Sequence, residues 1–128
     1  MARILAVDDD LRILALIQFR LERDGHEVLA HSSADSALKA AASLPETSVP
    51  DVAILDVMMP GKTGLDLCTE LRSRPGLESL PVIFLSARVQ PEDIAAGQAL
   101  GATYLTKPFV ASALVKAIHV AMKSRRTA

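Results

Sequence analysis

The chain has 128 residues, half of them apolar, with 14 basic and 15 acidic side chains and a formal net charge of -1. That length suits one domain burying roughly two-thirds of the surface its unfolded form exposes. The balanced charge gives no footprint for nucleic acid. No apolar run reaches the roughly 18 residues that span a bilayer, and the first residues lack the apolar length of a signal peptide. A soluble, cytoplasmic protein without direct nucleic-acid or membrane partners is expected. The single cysteine, Cys68, excludes an internal disulfide and a cysteine-rich zinc site, and reads as a buried free thiol.

Ile4-Leu5-Ala6-Val7 reads as a first strand, ending at Asp8-Asp9. Apolar residues at helical spacing follow from Leu14 to Leu21, with Asp10 placed as the N-cap and Gly25 as the stop. His26 to Ala30 reads as a second strand, and a second helix runs from about Ser33 to Leu44, with Ser32 or Ser33 as its cap. Pro45 to Pro50 is a loop too short to separate two domains. Val52-Ala53-Ile54-Leu55 is a strand ending at Asp56, and the turn-rich loop Val57 to Gly64 leads into a helix from about Gly64 to Ser73, closed by Arg74-Pro75-Gly76.

Val82-Ile83-Phe84-Leu85 is a strand ending at Ser86, followed by a helix that starts near Pro91 and stops at Gly101. Thr103-Tyr104-Leu105-Thr106 ends at Lys107. The last helix, from about Val110 to Arg125, carries Leu114, Val115, Ile118 and Met122 on its apolar face, and its basic residues Lys123, Arg125 and Arg126 complement the helix dipole at its carboxyl end.

Five strands thus alternate with five helices, and continuous apolar strands imply burial on both faces of a parallel sheet. The expected fold is a doubly wound α/β sandwich with strand order 2-1-3-4-5. The strand near Val28, which ends at no chemical residue, then lies at an edge, and the other four bring their polar endings to one edge of the sheet.

Those endings permit phosphate chemistry. Adjacent carboxylates about 4 Å apart repel by roughly 4 kcal/mol at an effective dielectric near 20, and a third adds to it, so a divalent cation would relieve the site. Hard oxygen ligands at an open site favour Mg²⁺, with Mn²⁺ or Ca²⁺ as substitutes. Asp9 is expected to bind the ion directly and Asp8 to act through water or by keeping the site negative, both requiring a turn after Val7. Taken alone, the pair also reads as solvated helix-capping acids.

Asp56, between a metal and a lysine, is placed as a nucleophile for a phosphoryl group; by itself, an aspartate after a strand is more often a turn residue. Ser86 can donate to a phosphoryl oxygen, and small Ala87 beside it leaves space for a donor molecule. Lys107 precedes Pro108, a bond type that permits a cis peptide. His26, His31 and His119 fall on separate elements and read as surface residues, not phosphocarriers.

Taken together, Val7-Asp8-Asp9-Asp10, Leu55-Asp56-Val57-Met58-Met59-Pro60-Gly61, Gly64, Ser86-Ala87-Arg88 and Lys107-Pro108-Phe109 make the chain resemble, over nearly its whole length, the receiver domain of two-component response regulators. The resemblance implies a flavodoxin-like fold. It further implies that Asp56 is the phosphoacceptor, that Asp8, Asp9, Asp56 and the backbone carbonyl of Met58 hold Mg²⁺, and that Ser86 and Lys107 bind the phosphoryl oxygens. Tyr104 matches the family's switch aromatic, and Met58, Ala87 and Arg88 would set access and the lifetime of the acyl phosphate. Met58 offers no group to orient an attacking water, so slow hydrolysis is expected.

The implied partners are a sensor histidine kinase or histidine phosphotransfer protein, and a downstream protein or an effector domain outside this chain. A stand-alone receiver and the first domain of a larger regulator both fit, as a monomer or a weak phosphorylation-dependent dimer. The loop Gly101-Ala102-Thr103-Tyr104 is one residue shorter than the family usually has, which should tighten the turn into the last strand. Such a protein catalyses only its own phosphorylation and dephosphorylation. Two alternatives are a pseudo-receiver acting only by binding, and a haloacid dehalogenase-type phosphatase. The latter is suggested by the Asp-x-Asp spacing in Asp8-Asp9-Asp10, but the chain has no second acidic metal motif after Lys107 and no room for a cap domain.

Overall fold

The computed structural model describes residues 2–87 and 91–127. The elements follow the expected alternation: β1 (Arg3–Val7), α1 (Leu11–Arg23), β2 (Glu27–His31), α2 (Ala34–Ala42), β3 (Val52–Asp56), α3 (Gly64–Arg72), β4 (Val82–Ser86), α4 (Pro91–Ala99), β5 (Thr103–Thr106) and α5 (Ala111–Thr127). All strand pairs are parallel, in the order β2-β1-β3-β4-β5. The loop from Pro45 to Pro50 contains a short 3-10 turn, Glu46–Ser48, which its composition did not signal.

Alternation along the strands divides the core in two. Leu5 and Val7 of β1, Ala53 and Leu55 of β3 and Phe84 of β4 pack with Ala37 of α2 and Leu67, Cys68 and Leu71 of α3. Ile4, Ala6, Ile54, Ile83 and Leu85 face the other way, onto Leu14, Ile17 and Leu21 of α1 and Leu114 and Ile118 of α5. Burial on both faces holds throughout β3 and β4 and nearly so in β1, but not at the edge strands β2 and β5, where one long side is open. Cys68 is fully buried, and burial pushes its thiol pKa up, as suits a packing residue.

Local chemistry explains the helix ends. The Asp10 side chain accepts from the N–H groups of Arg12 at 3.0 Å and Ile13 at 3.4 Å, and Ser33, not Ser32, caps α2. Asp10→Ala should cost about 1 kcal/mol of stability, read as a lower urea midpoint with unchanged slope. The turn from α4 into β5 closes with Gly101 at φ +67°, Gly101 N–H donating to Gln98 O and Ala102 N–H to Gly97 O, both at 2.9 Å. That paired arrangement lets one left-handed glycine end the helix, so only residues 100–102 separate α4 from β5. Arg72 braces the same turn, its guanidinium donating to the carbonyls of Leu80 and Leu100.

Candidate phosphoacceptor site

Strand register builds the site. Val7 pairs with Leu55, Asp56 with Leu85 and Ser86 with Thr106, so Asp8, Asp56, Ser86 and Lys107 step along the carboxyl edge of four adjacent strands. Backbone bonds carry the ladder past the strand ends: Asp8 N–H donates to His31 O at 3.2 Å, Val57 N–H to Leu85 O at 2.9 Å and Lys107 N–H to Ser86 O at 2.8 Å. The polar side chains therefore stand on rigid backbone. A cavity of about 340 Å³ between Arg72, Glu78, Thr103 and Val120 lies at the opposite, amino end of the sheet and takes no part in this arrangement.

Asp8 is fully buried, Asp56 nearly so, and Asp9 is exposed, yet one oxygen from each carboxylate lies within 4.8 Å of the others. The required turn is present, with the Asp8 carboxylate accepting from Asp10 N–H at 2.8 Å. Lys107 Nζ lies 2.9 Å from Asp8 Oδ2 and 3.3 Å from Asp56 Oδ1. The Lys107-Pro108 bond is cis, the isomer the sequence permits.

One ammonium does not balance three carboxylates. Burial, then the charge of Asp8, push the Asp56 pKa up to about 7 despite the opposing pull of Lys107, and a hydrogen bond with Asp9 adds to the rise. Burial works against the charge on Lys107, but hydrogen bonding to Asp8 and the charges of Asp8 and Asp56 outweigh it and hold its pKa above the ordinary lysine value. Excess negative charge on converging hard oxygens is what a small divalent cation fits. Asp8, Asp9 and Asp56 are the acidic cluster with that geometry among the described residues.

The remaining expected residues are placed as follows. Ser86 is buried at the end of β4 and Ala87 is exposed beside it, while Arg88, together with Val89 and Gln90, lies outside the described residues. Met58 is 66% exposed between buried Val57 and Met59, two residues past Asp56. Tyr104 lies opposite Phe84, ring centroids 5.4 Å apart at 40°, half-buried with its hydroxyl oxygen inside. Of the histidines, His26 Nδ1 accepts from Ala2 N–H, His31 Nδ1 pairs with Ser36 Oγ at 2.7 Å, and His119 is exposed on α5. Burial pushes the His31 pKa down.

Several supports of the site were not anticipated from sequence. The loop carrying Met58 is closed by Gly64 N–H donating to Val57 O at 3.1 Å and by Lys62 Nζ on both carboxylate oxygens of Glu70 at 2.6 Å. Thr63 and Asp66 form a reciprocal cap on α3. The Thr-x-x-Asp spacing signals that cap, whereas nothing local signals a pair eight residues apart.

Gly64 has a further reason to be glycine. A Cβ there would fall 2.9 Å from the carbonyl carbon of Asp56 and 3.1 Å from Val57 Cα, nearer still to the Asp56 carbonyl oxygen. Gly64→Ala should thus shift the Asp56 backbone, costing about 1–3 kcal/mol and weakening Mg²⁺ affinity. Thermal unfolding with and without Mg²⁺ checks both effects.

Comparison with known proteins places the chain by sequence and by fold. The family model for the response regulator receiver domain matches residues 4–119. The alkaline phosphatase synthesis transcriptional regulatory protein PhoP of Bacillus subtilis (strain 168) is 41% identical over 120 residues, covering 91% of this chain and 48% of PhoP. The chain spans about half the length of the curated relatives it matches. Among solved structures, the Vibrio cholerae chemotaxis protein CheY4 superposes with a TM-score of 0.86 at 33% identity, covering 94% of this chain and 98% of CheY4. A response regulator receiver domain protein from Clostridium thermocellum gives 0.87 at 33% identity, covering 99% and 98% of the two chains.

Proposed function

The chain belongs to the response regulator receiver family, and on that premise we propose that it is the phosphoacceptor of a two-component phosphorelay, with Asp56 as the accepting residue. The observation that carries this reading is the acidic triad with Lys107 between Asp8 and Asp56: two buried carboxylates, one exposed carboxylate and one ammonium at a single strand edge. The donor is a phosphohistidine on a sensor histidine kinase or a histidine phosphotransfer protein. A carboxylate oxygen of Asp56 attacks phosphorus, the P–O bond forms as the P–N bond breaks, and the leaving imidazole takes a proton from water.

Asp8, Asp9, Asp56 and the backbone carbonyl of Met58 would hold Mg²⁺, or Mn²⁺ in its place, and the bound ion supplies neutralisation of charge on the transferring group. Lys107, kept protonated by its acidic neighbours, is positioned to pair with a phosphoryl oxygen. Ser86 donates to another from the adjacent strand, and exposed Ala87 leaves the approach open. Met58 cannot orient a water, so the acyl phosphate persists for longer than seconds. The protein turns over no separate substrate.

The added dianion draws Ser86 toward it and biases Tyr104 and the neighbouring surface to a second arrangement, which a downstream protein or an effector domain reads. The switched chain acts as a monomer or as a weak dimer formed on phosphorylation. Phosphoramidate, which carries the same P–N bond as phosphohistidine, tests the acceptor reading without a kinase. With Mg²⁺, one phosphoryl group per chain should be incorporated, and chelation should prevent it. A folded, Mg²⁺-binding protein that takes up none is instead a pseudo-receiver.

A further inference from the structure

Gly97 sits in the interior of α4, where glycine weakens a helix relative to alanine and where its φ is not among the positive ones that would call for glycine. Space, not backbone freedom, explains it. A Cβ built on Gly97 would fall 2.8 Å from Tyr104 Cδ2, 3.2 Å from Cζ and nearer still to Cε2, so its three nearest atoms all belong to one ring. The same ring also meets Phe84 across the β4–β5 pair. The Gly97 carbonyl also accepts from Ala102 N–H, fixing this turn of α4 to the start of the strand that carries Tyr104. The ring therefore occupies the volume where any other residue at 97 would begin its side chain.

We propose that Gly97 is the positioning residue of the switch: by lacking a side chain it provides the seat for Tyr104 in the inward position, and so sets the balance between inward and outward rings. This rests on the reading of Tyr104 as the switch aromatic. A methyl group at 97 competes with the ring for one volume and shifts the population outward. By linkage, whatever occupies the phosphoryl site and favours the inward ring must then bind more weakly by the same factor.

The chain offers its own reporter. Tyr104 is the single tyrosine and there is no tryptophan, so intrinsic fluorescence and its quenching by acrylamide come from this residue alone. The experiment compares the wild type, Gly97→Ala, Tyr104→Leu and the double variant, each with and without Mg²⁺ and beryllium fluoride as a phosphoryl mimic. Gly97→Ala should raise the quenching constant several-fold and weaken beryllium fluoride binding about tenfold, the scale of a modest shift in a two-state balance, while helicity is kept or improved. In the Tyr104→Leu background the same substitution should change beryllium fluoride affinity little, because the competing ring is gone.

Quenching at the wild-type level in Gly97→Ala overturns the seat. Raised quenching with unchanged beryllium fluoride affinity overturns instead the coupling of Tyr104 to the phosphoryl site. Failure of wild-type protein to bind the mimic at all overturns the acceptor reading itself. If Gly97→Ala does not fold, rescue by Tyr104→Leu supports the seat, and an equally unfolded double variant overturns it.

Discussion

Asp56→Asn should reduce phosphoryl incorporation to background and, in metal-free protein, make the fold more stable by an amount that grows with pH. The first effect follows from the loss of the nucleophile. The second follows from linkage: Asp56 titrates at about 7 in the folded chain against an ordinary 3.8, so the unfolded chain releases this proton first. Its contribution is fullest below pH 3.8 and is lost as pH rises through about 7. At roughly 1.4 kcal/mol per pH unit, Asn gains about 2–3 kcal/mol on the wild type between about pH 5 and pH 8. Urea unfolding in chelator at those two values measures it. The gain should shrink when Mg²⁺ is added, since the ion relieves the same repulsion, and a difference independent of pH would contradict the buried, raised carboxyl.

Lys107→Ala should act in the opposite direction on stability and in the same direction on phosphorylation. Its ammonium is the near partner of a fully buried Asp8 and of Asp56, and removing one member of a buried ion cluster costs about 3–5 kcal/mol because the buried carboxylates are left without their compensating charge. The cost should be largest in chelator near pH 8, and smaller near pH 5, where Asp56 takes a proton. Phosphoryl incorporation should fall even where Mg²⁺ restores the fold, because the contact for a phosphoryl oxygen is missing. Lys107→Arg keeps the charge without the compact ammonium, so it should recover more stability than phosphorylation. Wild-type stability of Lys107→Ala in chelator would show that the cluster is solvated.

Much of the fold was legible because buried parallel strands write themselves as apolar runs. Val52 to Leu55 and Val82 to Leu85 are fully buried, and each ends at the polar residue that the sheet edge presents. Asp10 announced its helix by position, and the convergence of Asp8, Asp56, Ser86 and Lys107 follows from strand order together with parallel pairing. Contacts that join distant positions without a repeating pattern were not legible. Lys62 meets Glu70 across a loop, Arg72 reaches Leu80 and Leu100, and Gly97 lies under Tyr104. A glycine chosen for space looks in sequence like a weak helix position, and only the approach of a ring from the next strand explains it. The pKa of Asp56 was likewise hidden, because it depends on how completely the fold buries a carboxylate beside Asp8.

Asp56, among all groups at this edge, is the one proposed to receive the phosphoryl group. An aspartyl phosphate is an acyl phosphate, and borohydride reduces it to homoserine while leaving phosphoserine and free aspartate unchanged. Protein treated with phosphoramidate and Mg²⁺, reduced and mapped by peptide mass spectrometry, should carry homoserine at position 56 and aspartate at positions 8 and 9. Aspartate retained at position 56 in a protein that has taken up phosphate, with the phosphoryl group on Ser86, a histidine or another carboxylate, would contradict it.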